Sequence, residues 1–311
     1  MANIVVNERH LDDIARAIRV SYSSDTKYKP REMADAIRGI PRSDEIIWTL
    51  GDLLEGRVSG KIYLSCETIQ TGIFNANTNL TGIKSTAKTI EAGAFSDCEN
   101  LYSVNFPKCS WIGAAFGNCK ALKEVNLPNI TNLYAGTFAW CSGLESISLP
   151  KLTSIDSSGS GSYPCFAGCT SLKTVDLPSV RSLGDYSFSE CEALTDIYLP
   201  NINRIGDFVF ADCYNLKKLD LYNVETIDMS AFPTDGEKYC KLTTVILRRK
   251  DKIVNFQDNS DYGFNSAWYY NRTQVYVYVP QSLIDEYRNN RDFIEFRAIE
   301  DYPEICGEEV A

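Results

Sequence analysis

The 311-residue chain is 44% hydrophobic with a formal charge of −10, which supplies material for a substantial core and excludes wholesale disorder. The acidic balance argues against non-specific nucleic-acid binding and against adsorption to an acidic membrane, and the densest basic stretch, "LRRKDK" at 247–252, reads as a solvated turn. No basic leader with a long apolar run opens the chain, and no stretch of about 18 apolar residues could cross a bilayer.

Residues 1–40 stand apart. "NERHLDDIARAIRVSY" sets Leu11, Ile14, Ala15 and Ile18 at helical spacing, and "KPREMADAIRGIP" repeats the pattern with Met33, Ile37 and a Gly39–Pro41 stop. Two short amphipathic helices there predict a hairpin or attachment segment. Residues 41–60 read as linker and the start of a cap, and "GKIYLSCETI" as a first strand.

From residue 61 to 280 the chain repeats itself. Phe74, Phe95, Phe116, Phe138, Phe166, Phe188, Phe210 and Phe232 fall 21, 21, 22, 28, 22, 22 and 22 residues apart. Six positions after each of the first seven stands a leucine, Leu80 through Leu216, and three later an aliphatic residue such as Val104 or Val125. Pro107, Pro128, Pro150, Pro178 and Pro200 close five units, and Ile69, Ile90, Ile112, Leu133, Ile155, Leu183, Ile205 and Ile227 form an upstream apolar series. The ending L-x-x-V-x-L has period 2, so each unit carries one strand with one apolar side. Such a strand needs neighbours, and stacked copies give a parallel sheet over a continuous core. About 22 residues leave no room for a long helix on the return, which is expected to be short turns or one helical turn. The longer interval comes from "SIDSSGSGSYPCF", an insertion between Ile155 and Phe166. After "TQVYVYVP", residues 281–311 are expected to form a helical cap and tail, with Ser282 as N-cap and Asp285 and Glu286 in the first turn. The fold class is therefore a repeat solenoid with a parallel sheet face, an irregular or short-helical return side and a small helical N-terminal segment.

The recurrent cysteine, at Cys98, Cys119, Cys141, Cys169, Cys191 and Cys213, reads as a small buried core residue. Eleven cysteines leave at least one thiol without an intrachain partner, which favours a reducing compartment. Catalytic signals are sparse. The one histidine, His10, lies on the polar side of the first helix, and no G-x-S-x-G, G-x-G-x-x-G or phosphate-loop motif occurs. Cys165 and Cys169 form a single C-x-x-x-C pair, half of what structural zinc usually needs, so neither metal nor cofactor is expected.

The strand face offers the better site. Outward positions carry Asn105, Asn126, Ser148, Asp176, Tyr198 and Asp220, preceded by Tyr102, Lys123, Glu145, Lys173, Asp196 and Lys217. The variable chemistry at constant spacing suits an extended binding surface, with Tyr198, Tyr102 and Tyr222 as aromatic anchors.

The "AF..C..L..V.LP" units and the ending "YVPQSLIDEYRN" resemble bacterial leucine-rich repeats of the surface-antigen, BspA-like type over about residues 61–300. That resemblance implies a recognition scaffold without catalytic residues. "YKPREMADAIRGI" resembles the openings of phage or prophage structural proteins. The expected function is non-enzymatic binding of a protein or glycan partner through the sheet face. A structural part of a phage tail or other assembly is the alternative, and a hydrolase with a site near the 156–165 insertion a minor one. With no secretory leader in view, a cytoplasmic or phage-particle location is expected, with the cell surface reached by a non-classical route as the alternative.

Overall fold

The computed structural model describes residues 58–64, 66–155, 164–228, 231, 242–257, 276–290 and 295–307, together with the backbone of a parallel strand pair, Ile4–Val5 with Ile46–Ile47. The helices expected within 1–40, the inserted residues 156–163, Phe232 and most of the tyrosine-rich stretch 268–278 lie outside the described residues. Two compact units result, residues 1–131 with 136–144 and residues 132–135 with 145–311.

In the first unit, strands Gly60–Leu64, Leu80–Ser85, Ser103–Asn105 and Glu124–Asn126 form a parallel sheet. Ile62, Ile83, Val104 and Val125 align across it and turn inward. The second unit holds two further parallel sheets: Ser146–Ser148, Thr174–Asp176 and Asp196–Tyr198, then Lys218–Leu221, Thr244–Leu247, Tyr276–Val279 and Glu295–Ala298. Among the described residues, the repeat reading of the sequence holds here.

The upstream aliphatic series forms strands of its own. Thr68–Ile69, Thr89–Ile90 and Trp111–Ile112 pair in the first unit, and six such strands from Asn132–Leu133 to Asn255–Gln257 pair in the second. Two residues are too few to show alternation, so the sequence displays the apolar series without its strand character. Across the described residues 66–228 the return side is turns and these short strands, with no helical turn.

The core is built in columns. Phe74, Phe95, Phe116 and Phe138 stack with ring centroids 5.3, 5.2 and 5.6 Å apart. Phe166 and Phe188 stack at 5.1 Å in the second unit. Each fully buried ring contributes about 2–3 kcal/mol from burial. The cysteine column lies beside it and has a second task. Cys98, Cys119 and Cys141 donate Sγ–H to the carbonyls of Phe74, Phe95 and Phe116, one repeat back. Cys191 and Cys213 do the same to Phe166 and Phe188. Each of these carbonyls also accepts an N–H within its own turn, as Phe95 does from Cys98, so both lone pairs are used. In the first unit Asn77 stands where cysteine is expected, is buried, and donates Nδ2–H to the Val58 carbonyl at 2.9 Å. A donor is kept when the thiol is not.

The turns around each phenylalanine carry left-handed residues that the repeat motif does not announce. Ala76, Asp97, Asn118, Trp140, Gly168, Glu190 and Asp212, each directly before the cysteine position, have positive φ. Gly72, Gly93 and Gly136 take the same region two residues before phenylalanine, as do Tyr186 and Phe208. This geometry aims the peptide N–H groups along the stack. Phe74 N–H donates to the Ala94 carbonyl, Phe95 N–H to Ala115 and Phe116 N–H to Thr137, so one peptide follows another head to tail. Phe166, Phe188 and Phe210 donate likewise to Ser187, Val209 and Ala231.

The C-terminus departs from the expected helical cap. A 3-10 turn at Gln281–Leu283 leads into the helix Ile284–Asn290, with Asp285 and Glu286 in its first turn. Ser282 lies inside that 3-10 turn, whose N-cap position is Pro280 and carries no side-chain capping bond. Residues Glu295–Ala298 then form a strand parallel to Tyr276–Val279, with Phe296 and Ala298 inward. The alternation in "EFRA" decides this: helix ending at Asn290 leaves a period-2 segment that fits the sheet edge. Tyr287 locks the joint, its ring 5.0 Å from Phe296 and its hydroxyl accepting Val254 N–H at 2.8 Å.

Candidate functional site

The outward side chains of the first unit fall in two columns. Lys61, Gly82, Ser103 and Glu124 align in one, and Tyr63, Lys84, Asn105 and Asn126 in the other. A groove of about 420 Å³ runs over all of them but Tyr63. Gly82 opens it: a Cβ there would come within 2.7 Å of Ser103 Oγ and 3.0 Å of Lys61 Cγ. Asn126 donates Nδ2–H to Asn105 Oδ1 at 2.9 Å, which fixes both amides along the sheet. Tyr102 is 41% exposed and Lys123 is exposed beside them. Lys61, Tyr63, Gly82 and Lys84 were not among the sequence candidates. Extending the inward Val104 column two repeats upstream, to Ile83 and then Ile62, would have found them.

In the second unit, Ser148, Asp176 and Tyr198 align across three strands. Ser148 Oγ–H donates to Asp176 Oδ2 at 2.8 Å, and Tyr198 is 56% exposed. Lys173 Nζ sits 3.4 Å from Glu145 Oε2, an exposed pair of little energetic weight. Asp196 and Lys217 are exposed as expected.

Asp220 behaves differently from its expected role. It is half-buried and accepts both Nε–H and Nη2–H of Arg248 at 2.6 and 2.7 Å. The positions aligned with it, Ile246 and Tyr278, are buried with Ile299 and Cys306. Lys218 Nζ–H reaches the Ile305 carbonyl at 2.8 Å. The segment 299–306 thus folds over the outward side of this last sheet and closes it. The covering segment is 87 residues from Lys218, beyond the reach of any local pattern.

Four of the described thiols are held away from the reactive thiolate form. Burial pushes Cys98 up to about 12 and Cys109 to about 11, and holds Cys119 and Cys191 well above the ordinary thiol range. They remain protonated at neutral pH and are poor nucleophiles. Cys165 and Cys169 are both buried. Among the described residues no group of three or more His, Cys, Asp or Glu is placed to hold a metal ion, and no helix is long and apolar enough to cross a membrane.

No curated protein sequence matches the chain. Solved structures with likeness include a leucine-rich repeat protein of T. pallidum, 22% identical over 51% of this chain and 78% of that one, with a TM-score of 0.45. A leucine-rich cell surface protein of Faecalibacterium prausnitzii is 16% identical over 67% of this chain and 81% of its own, with a TM-score of 0.32. A leucine-rich repeat protein of Bacteroides ovatus is 18% identical over 78% and 84%, also at 0.32. The family model for the BspA type leucine-rich repeat region, in six copies, matches residues 67–159 and 161–264. The phenylalanine, cysteine and leucine columns described above are thus a family pattern, and the chain belongs to the BspA-type leucine-rich repeat proteins.

Proposed function

We propose that the chain is a non-enzymatic recognition scaffold that binds a protein or glycan through its strand face. The groove over Ser103, Asn105, Glu124 and Asn126 carries this reading. It pairs polar, register-fixed side chains with a floor of inward aliphatic residues, so specificity can change without disturbing the core. Asn105, Asn126 and Lys84 supply hydrogen bonds, while Tyr102 and Tyr198 are the aromatic anchors.

Screening the full chain against a glycan array and a displayed peptide library, followed by titration of the best hit, tests this. The double variant Asn105→Ala, Asn126→Ala is expected to lose tenfold or more in affinity, and Tyr198→Ala to weaken any ligand spanning the second unit's face. Undiminished binding in all of these variants would sink the assignment of the face.

A further inference from the structure

One edge of the second unit breaks the repeat. Leu149, Leu177 and Leu199 are followed by Pro150, Pro178 and Pro200, whereas Leu221 and Leu247 are followed by Tyr222 and Arg248. Proline at this turn has no hydrogen-bonding side chain, so the exchange adds chemistry where the fold needs only a bend. The chain also lengthens there. Six residues separate Leu199 from Ile205 and Leu221 from Ile227, but nine separate Leu247 from Phe256, which still pairs in register with Ile227. The result is a groove of about 500 Å³ along this edge, apart from the strand face.

Its floor is held firmly. The Arg248 side chain is only 8% exposed, clamped by Asp220 and by the Cys306 carbonyl, and its guanidinium carbon lies 5.1 Å from the Tyr222 ring centroid. Tyr222 itself is 46% exposed. Arg249 is paired with Asp251 at 2.6 Å and Glu225 at 2.9 Å, and its hydrogen bonds hold both carboxyls below their ordinary range. Both therefore stay ionised as acceptors at neutral pH. Asn201 and Asn223 donate Nδ2–H to the carbonyls of Pro178 and Pro200, which fixes the side chains and engages their donor ends while Oδ1 is the acceptor end of each amide. Arg181 is exposed, and its guanidinium has no side-chain partner among the described residues. Four cations and two carboxylates line the groove, a net of +2 in a chain whose total is −10.

We propose that this groove binds a carboxylate-bearing saccharide, such as a uronate or a sialic-acid-type sugar. Arg181 pairs with the sugar carboxylate, Tyr222 lies against the apolar C–H face of the ring, and the Asn oxygens with Glu225 and Asp251 accept its hydroxyls. The mixed lining selects the class. A neutral sugar leaves Arg181 unmatched, and a phosphate-rich or sulfated chain meets two fixed carboxylates. The proposal stands independently of the strand face.

Calorimetric titration of the full chain with hexuronate and sialic-acid oligosaccharides tests it, alongside methyl-esterified and sulfated counterparts. At least one acidic sugar is expected to bind, with its ester at least tenfold weaker. Arg181→Gln and Tyr222→Ala should each weaken binding tenfold or more at an unchanged melting temperature, while Tyr222→Phe stays within about threefold. Should Tyr222→Ala fail to fold, Arg181→Gln alone decides. The strand-face variant Asn105→Ala, Asn126→Ala should bind the acidic sugar as the wild type does. No binding of any acidic probe, equal binding of the ester, preference for the sulfated form, or indifference to Arg181→Gln would overturn the proposal. Loss in the strand-face variant with retention in Arg181→Gln would overturn it too, by moving the ligand to the other surface.

Discussion

The phenylalanine edge of the repeats and their strand face obey opposite rules. At the edge, the described repeats from Phe74 to Phe210 each carry one buried ring, a buried cysteine or, once, Asn77, and a turn residue in the left-handed region directly before it. On the face, register is just as strict but the side chains differ from unit to unit, from Asn126 beside Asn105 to Tyr198 beside Asp176. The edge holds the stack together, and the face is left to vary. Stability and the proposed recognition should therefore be separable by mutation, and five measurements probe how cleanly.

The largest effect is expected from Phe116→Ala, which removes a buried ring touching Phe95, Phe106 and Phe138. A loss of about 3–5 kcal/mol in denaturant unfolding is predicted; a loss below about 1 kcal/mol would mean the ring column does not carry the fold. Next comes alkaline pH. Burial raises the thiols of Cys98 to about 12 and Cys109 to about 11 in the fold. Their contribution is intact below the unfolded thiol range near pH 9 and is lost as pH rises toward the folded values. By pH 11 each such thiol should cost about 2 kcal/mol, seen as a falling melting temperature. Thiol labelling at neutral pH should likewise leave Cys98, Cys119, Cys141, Cys169, Cys191 and Cys213 unreacted until unfolding. Rapid labelling of native protein would contradict their burial.

A smaller effect attaches to the left-handed turn. Glu190 sits at φ 58°. Glu190→Val should cost about 1–2 kcal/mol, while Glu190→Gly should cost nothing or stabilise slightly. Smallest of all, Asn105→Ala with Asn126→Ala should change stability by no more than about 0.5 kcal/mol per site, even as it weakens ligand binding. A larger loss would tie the face to the scaffold and erase the contrast.

The parts of this architecture that repeat were legible in the sequence. Phe95, Cys98, Leu101, Val104 and Phe106 were readable as core because each recurs in register, and all are buried. Asn105 and Asn126 were readable as outward because they alternate with that core. The left-handed positions were harder. Gly93 signals one, but Ala76, Trp140 and Glu190 occupy the same conformation with no residue preference for it, since neighbouring repeats impose it. The closing of the last sheet was not readable either. Ile246 and Tyr278 fit an outward column in sequence, and only the distant 299–306 segment makes them core. Tyr222 read as a strand-face anchor and Arg248 as part of a solvated turn, and their place beside one another at the edge emerges only once Leu247–Phe256 is seen to stay in register around extra residues.

The head-to-tail peptides beside the phenylalanines have an electrical consequence. In each unit the N–H groups of Phe74, Phe95 and Phe116, or of Phe166, Phe188 and Phe210, all point toward the next repeat. Aligned peptide dipoles add, as they do in an α-helix. Here the positive pole lies at the C-terminal end of the row, the reverse of a helix, because each N–H points to a partner later in the chain, where a helical N–H points to one earlier. Each repeat added to such a row lengthens the dipole, and acidic side chains belong at its last turn, where a helix would place basic ones.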